Sequence, residues 1–210
     1  MHVGGVCMNF DDVAREWDDE RRIERAKIIA NKIRTTITVG KDKSAMEFGC
    51  GTGLVSFNLY NEFKNITLID TSKEMINVVN NKIKALKLDN INTYCEDLVK
   101  NKLNERFDII YSSMALHHVI DINEISKELY NMINLNGTLC IVDLNKDDGS
   151  FHKNEIGFNG HNGFSKTWLK SILEANGFSN IKYETFYKGK KQVDNNEMKY
   201  SLFIMRADKI

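Results

Sequence analysis

Hydrophobic positions along the chain alternate between short apolar runs and helically spaced stripes. From Val13 to Thr36 the segment is charged and amphipathic, with Ile23, Ala26, Ile29, Ala30 and Ile33 at helical spacing. Ser44 to Phe48 is a short apolar strand that stops at a glycine cluster, and the pattern predicts a helix from about Leu54 to Phe63. Ile66 to Ile69 reads as a second strand ending on Asp70. Ser72 then stands where an N-cap is needed for a helix carrying Met75, Ile76, Val79, Ile83 and Leu86. Asn92 to Cys95 is a third strand, and Phe107 to Tyr111 a fourth, apolar enough to be buried on both faces. Ile122 to Ile133 reads as a helix and Thr138 to Val142 as a fifth strand ending at Asp143. A stretch rich in Gly, Asn and His follows from Asn145, and Ser165 caps a helix running to Asn176, with Gly177 as its stop. Ile181 to Tyr187 and Lys199 to Arg206 are two further strands joined by a polar loop, so they pair antiparallel.

Strand and helix thus alternate five times before a closing hairpin. That order predicts an α/β fold: a doubly wound, mainly parallel sheet with helices on both faces and an antiparallel C-terminal addition. At 210 residues a single domain is expected. Lysine plus arginine equals aspartate plus glutamate, 29 each, so no global charge points to nucleic acid or an anionic membrane. Cys7, Cys50, Cys95 and Cys140 lie far apart with no C-x-x-C pair, which argues against a disulfide scaffold or zinc knuckle and for reduced thiols, and Cys95 and Cys140, within strands, read as small buried hydrophobes. With no apolar leader before Asp11 and no long apolar run, a cytoplasmic chain is expected. Proline is absent, which excludes polyproline segments and every motif that requires the residue.

In a doubly wound sheet, ligands sit beyond the carboxyl ends of the strands. The first such end reads Glu47-Phe48-Gly49-Cys50-Gly51-Thr52-Gly53-Leu54, a turn that lets a ligand approach the backbone closely. A nicotinamide-dinucleotide fingerprint, G-x-G-x-x-G, needs its third glycine where Leu54 stands, so that reading fails. The second end gives Asp70, a carboxylate placed to accept from both hydroxyls of a ribose; the third gives Glu96-Asp97-Leu98, where an acid can accept from an exocyclic amine. Each signal alone is weak. Their order along three successive strands makes the set specific.

These residues resemble the class I S-adenosylmethionine-dependent methyltransferases, as do Phe107 to Ser112 at strand four and Asn136-Gly137-Thr138-Leu139 leading into strand five. The resemblance spans about Phe10 to Arg206 and implies a seven-stranded sheet with its last strand antiparallel. It implies S-adenosylmethionine as cofactor, with Glu47 at the methionine amino group and Gly49, Cys50, Gly51 and Gly53 along the methionine and ribose. Asp70 would hold the ribose hydroxyls, Thr71 and Met75 would flank the adenine, and Asp97 would bind its amine beside the Leu98 backbone. Ser112 would lie beneath the sulfonium. Phe10-Asp11-x-x-Ala14-x-x-Trp17-Asp18 resembles the family's lid segment, so residues 1–36 read as an N-terminal helical lid with Trp17 closing the pocket. Members that modify nucleobase or glutamine amino groups carry a Pro-Pro motif after strand four, and cytosine-C5 enzymes carry Pro-Cys. Ser112-Ser113-Met114-Ala115 stands there instead, which turns the reading towards a small-molecule acceptor.

The acceptor side is less constrained. His117 and His118, after strand four, are candidates for a general base or an orienting group. Residues 145–164 read as a polar substrate loop contributing His152, Glu155 and His161. His117, His118, His152, Glu155 and His161 are chemically suited to a metal, but no H-x-x-x-H or H-E-x-x-H spacing fixes them, and no metal is expected. No converging cysteine pair supports arsenite methylation. Beside methyl transfer to a small molecule stands one alternative, a catalytically silent nucleoside-binding module acting through protein partners.

Overall fold

The structure, a computed structural model, describes residues 9–155, 157–193 and 196–210. The first eight residues of the expected lid, Cys7 among them, lie outside the described residues. The elements run α1 (Phe10–Val13), α2 (Glu20–Thr36), β1 (Gly40–Phe48), β2 (Phe63–Asp70), α3 (Lys73–Leu86), β3 (Ile91–Cys95), β4 (Phe107–Ser113), α4 (Ile122–Met132), β5 (Ile133–Leu144), α5 (Lys166–Ala175), β6 (Ser179–Val193) and β7 (Asn196–Asp208), with short 3-10 turns between. The seven strands form one sheet in the order β3-β2-β1-β4-β5-β7-β6. The pairs β1–β2, β1–β4, β2–β3 and β4–β5 are parallel, whereas β7 is antiparallel to both β5 and β6. Strand order reverses at β1, between β2 and β4, so the crevice that such sheets offer to ligands lies above β1 and β4.

Each central strand divides its side chains between two cores with period two. On β5, Cys140, Val142 and Leu144 join a core with α2 and α3, while Leu139 and Ile141 join one with α4 and α5. On β7, Leu202 and Ile204 face the first core and Phe203 and Met205 the second. Helices therefore cover both faces, as the chain pattern predicts. Capping side chains set the helix starts: Asp19, Ser72, Asp121 and Ser165 accept from Arg22, Met75, Glu124 and Trp168 backbone N–H groups respectively.

Four local expectations need correction. The helix expected from Val13 begins at Glu20, because Asp19 caps it and Ala14–Glu16 form a separate 3-10 turn. The helix expected over 54–63 is two 3-10 turns, Ser56–Asn58 and Tyr60–Glu62; serine, asparagine and tyrosine are poor helix formers over so short a run. The hairpin expected to have a polar loop zips much further, with Lys190 opposite Lys199 and Gln192 opposite Glu197, and a Lys190–Glu197 ion pair of 2.8 Å beside them. Cys95, expected to be buried in its strand, is exposed at the end of β3, whereas Cys140 is buried as expected. Among the described residues no helix is long and apolar enough to cross a membrane.

Candidate active site

A cavity of about 500 Å³ opens beyond the carboxyl ends of β1, β2, β3 and β4, within the size range of small-molecule sites. Its floor begins with the glycine turn. Gly49, Gly51 and Gly53 all adopt left-handed backbone, with φ of +69°, +53° and +79°. Gly49 is the most constrained of them, since a Cβ there would lie 2.3 Å from the Ala115 Cβ. The Gly49 and Cys50 N–H groups donate to Ile69 O, and the Gly51 N–H donates to Asp70 Oδ2 at 2.7 Å. The turn and the β2 acid are therefore one rigid unit. The other Asp70 oxygen accepts from Ser72 N at 2.9 Å. Burial raises the Asp70 carboxyl above its ordinary range, against the opposing pull of these backbone donors.

Glu47, at the end of β1, is buried, and Ser56 Oγ donates to its Oε2. Ser56 Oγ in turn lies 2.5 Å from Tyr111 OH. Desolvation pushes the Glu47 carboxyl up to about 8 although the Ser56 hydrogen bond favours the ion. A protonatable carboxyl thus faces a cavity that Arg22 and Arg25 of α2 also line. At the far end, Asp97 forms a 2.9 Å ion pair with Lys100, and that hydrogen bond holds its carboxyl below the ordinary range.

The N-terminal segment closes over this cavity and is tied down by three acids or rings. Asp11 accepts from Ser72 Oγ at 2.5 Å and from Glu74 N at 3.1 Å, placing a carboxylate on the N-terminus of α3. Asp18 accepts from Thr52 Oγ1 at 2.5 Å and pairs with Lys82 at 2.6 Å. Trp17 lies 3.9 Å (from its Nε1) above where a Gly51 Cβ would be, with the Arg22 guanidinium 4.1 Å from its ring centre.

All the cofactor candidates line the cavity except Gly53 and Ser112. Gly53 packs instead towards Phe57 and Val79. Ser112 Oγ is buried without a hydrogen-bond partner, and Ser113, one residue on, takes the place at the wall. Met114 follows in left-handed backbone, φ +55°, an arrangement costly for a non-glycine residue and concentrated at functional turns. Of the two histidines, His118 lines the cavity and His117 does not. His118 is half-buried, its ring 5.1 Å from Phe10, and burial together with the His117 and His152 rings pushes its pKa down to about 2.

The described residues of 145–164 form a pinned turn, and none of them lines the cavity. Lys146 N and Asp147 N donate to Phe164 O and Asn162 O, and His161 N donates to His117 O at 2.7 Å. His161 Nε2 reaches Ile120 O at 3.1 Å, and Glu155 pairs with Lys191 at 3.3 Å. His152 is buried and packed flat on Phe158.

Two functional features went unread in the sequence. Arg22 and Arg25 sit on the α2 face that carries Ala26 and Ile29, and that helical spacing was the available signal. Asp143, at the end of β5, is fully buried and binds His117; its place after a strand was visible, but its partner was not.

Residues 46–141 match the family model described as "Methyltransferase domain". An uncharacterized methyltransferase of Schizosaccharomyces pombe is 30% identical over 172 residues, which cover 75% of this chain and 60% of that protein. A Coxiella burnetii ubiquinone biosynthesis O-methyltransferase is 31% identical over 144 residues, 66% of this chain and 61% of that protein. The chain thus spans about six tenths of the length of these two relatives. A solved Thermotoga maritima S-adenosylmethionine-dependent methyltransferase, possibly a histamine N-methyltransferase, superposes with a TM-score of 0.72 at 16% identity, covering 96% of this chain and 98% of that one, and so shares the fold. Over residues 46–141 the chain is thus similar to methyltransferase domains, and it shares the fold of a solved S-adenosylmethionine-dependent methyltransferase.

Proposed function

We propose that this chain binds S-adenosylmethionine in the 500 Å³ cavity and transfers its methyl group to a small-molecule acceptor. One observation carries the reading: the rigid Gly49–Gly51 turn, Asp70, Asp97 and the buried Glu47 converge on a single cavity at the sheet's switch point. The donor set fits the cofactor. Asp70 presents carboxylate oxygens to ribose hydroxyls, and Asp97 with the Leu98 backbone reads the adenine edge, which Thr71 and Met75 flank. Glu47, buried and raised in pKa, is matched by an ammonium; Arg22 and Arg25 face the same space and match a carboxylate. Trp17 and residues 10–18 of the expected lid cover the bound molecule and exclude water.

When bound, the cofactor supplies a sulfonium methyl with a neutral thioether as leaving group. The chain's task is alignment of the acceptor atom with that methyl at about 3–3.5 Å. Ser113 and Met114 form the wall next to the transfer point, and His118 stands on the acceptor side. With its pKa lowered to about 2, His118 is a neutral imidazole that orients an acceptor hydroxyl or amine rather than storing a proton. The substrate roles of His152, Glu155 and His161 require the 145–164 turn to open towards the cavity, and the structure gives that turn other bonds.

Isothermal titration with S-adenosylhomocysteine tests the cofactor reading. The wild type binds it, and Asp70→Ala weakens binding by roughly 10- to 100-fold, as loss of a charged hydrogen-bonding partner costs about 1.5–3 kcal/mol. Absence of binding by the wild type refutes the proposal. Release of S-adenosylhomocysteine in a screen of small hydroxyl, amine and thiol acceptors reads the transfer itself.

A further inference from the structure

His117 and His118 of one turn and His152 of another are brought together from two chain segments, with one ligand atom of each lying within 4.8 Å of the others. Their ring centres are 4.2 Å apart for His117–His118, 5.0 Å for His117–His152 and 6.0 Å for His118–His152. We propose that these three imidazoles form a binding site for a divalent transition metal of the zinc class, behind the acceptor side of the cavity.

Two observations beyond proximity support it. The first is His152, which is 4% exposed, and neither of its ring nitrogens makes a hydrogen bond. Glu155 Oε2 lies 4.0 Å from its Nε2, and the Asn162 side chain is a further polar group beside the ring. Buried polar atoms are nearly always satisfied, so a buried ring with neither nitrogen hydrogen-bonded, and one of them within 4.8 Å of a nitrogen of each of two other imidazoles, points to a missing partner. Nitrogens that accept by lone pair bind metal well.

The second is Asp143. His117 Nδ1–H donates to Asp143 Oδ1 at 2.5 Å, and the other oxygen accepts from the His117 backbone N–H at 3.1 Å. Leu144 N also donates to Oδ1, at 2.7 Å, so the carboxylate is itself fixed. This is the carboxylate–histidine pairing that orients metal-bound imidazoles: it occupies Nδ1 and leaves Nε2 with its lone pair free. Tetrahedral Zn–N bonds of ~2.0–2.1 Å put ligand nitrogens about 3.3 Å apart. Closing from 4.8 Å or less requires each ligand nitrogen to move inward by at most about 0.9 Å. Three histidines leave a fourth position for water or an acceptor oxygen, and His118, which belongs to both the cluster and the cavity wall, sets the site next to the acceptor.

The site joins the turn after β4, the end of β5 and the 145–164 turn. Gly160 shows how closely these are pressed: a Cβ there would lie 2.2 Å from His117 O.

The test uses the untagged 210-residue chain, stripped with chelator, and reads metal directly, so it does not depend on methyl transfer. Titration with Zn²⁺, with Co²⁺ as an optical probe, is expected to show one equivalent per chain and the visible bands of tetrahedral Co²⁺. His118→Gln, His152→Gln and Asp143→Asn are each expected to weaken Zn²⁺ binding at least tenfold. His118 is half-buried at the cavity wall, so His118→Gln keeps the test readable where a buried substitution fails to fold. Lack of stoichiometric binding by the wild type, or equal binding by wild type and a folded His118→Gln variant, overturns the proposal.

Discussion

Replacing Glu47 by glutamine isolates the energetic consequence of burying a carboxyl at the cofactor end of the cavity. The carboxyl rises from 4.5 to about 8, with desolvation the largest cause. Between those values the unfolded chain has lost its proton while the folded chain keeps it, so folding takes up a proton and stability falls as pH rises through the window. The cost is absent below about 4.5 and complete above about 8. At ~1.4 kcal/mol per pH unit it amounts to roughly 5 kcal/mol at full extent. Glutamine is neutral throughout and preserves the shape, so Glu47→Gln should be closest to wild type near pH 5 and increasingly the more stable of the two towards pH 8. Urea unfolding of both proteins at several pH values, with a shared m-value, measures the difference directly. Other titrating groups, Asp70 among them, largely cancel between the two proteins. Parallel stability profiles across pH 5 to 8 would refute the reasoning. Saturating S-adenosylhomocysteine adds a second reading: its ammonium should lower the Glu47 pKa, so ligand stabilisation above pH 6 should be larger for wild type than for the variant.

Gly49→Ala should lower the urea midpoint by at least the ~1–2 kcal/mol that left-handed backbone costs an L-residue, with the contact at Ala115 adding to it. Ala115→Gly in the same chain should restore part of the loss, and a Gly49→Ala stability within ~0.5 kcal/mol of wild type would contradict the geometry. Asp11→Asn removes the charge that straps the N-terminal segment to Ser72 and Glu74. Limited proteolysis within residues 10–17 should accelerate and the cofactor's KM should rise, while the urea midpoint stays nearly constant; an unchanged cleavage rate counts against the strap.

What was readable in the sequence shares one physical property, which is locality. The Glu47–Leu54 turn follows a strand, carries its glycines at alternate positions and ends near Asp70 whatever the rest of the chain does. Three strand ends in order therefore suffice to build the proposed cofactor half of the site. Errors appear where a contact distant in sequence overrides a local preference. Lys188–Gln192 reads as a polar loop, yet it extends as strand because Lys199 and Glu197 lie opposite and offer backbone and charge partners. Ser112 and Ser113 are indistinguishable in composition; the pleat decides between them, and a difference of one residue changes the face. The start of α2 was hidden for a simpler reason: an apolar stripe locates a helix face but not its cap, and Asp19 is one of several acids in that stretch.

The histidines show the same division from the other side. His117 and His118 are adjacent in sequence, and that adjacency suggested equivalent roles. The fold separates them, because consecutive residues of the 3-10 turn Leu116–His118 point in different directions. His118 reaches the cavity, while His117 turns inward to Asp143, which comes from the neighbouring strand β5. His152 arrives from a turn held by Phe164, Asn162 and Lys191 contacts, none of them legible as spacing. A metal motif is recognised in sequence when one helix or turn carries two ligands at fixed separation. Here the sheet supplies the separation: β4 and β5 in register put Ser113 beside Val142, and so the turn after one strand meets the last residues of the other. Ligand spacing is then a property of the strand pairing, and it becomes visible only once that pairing is known.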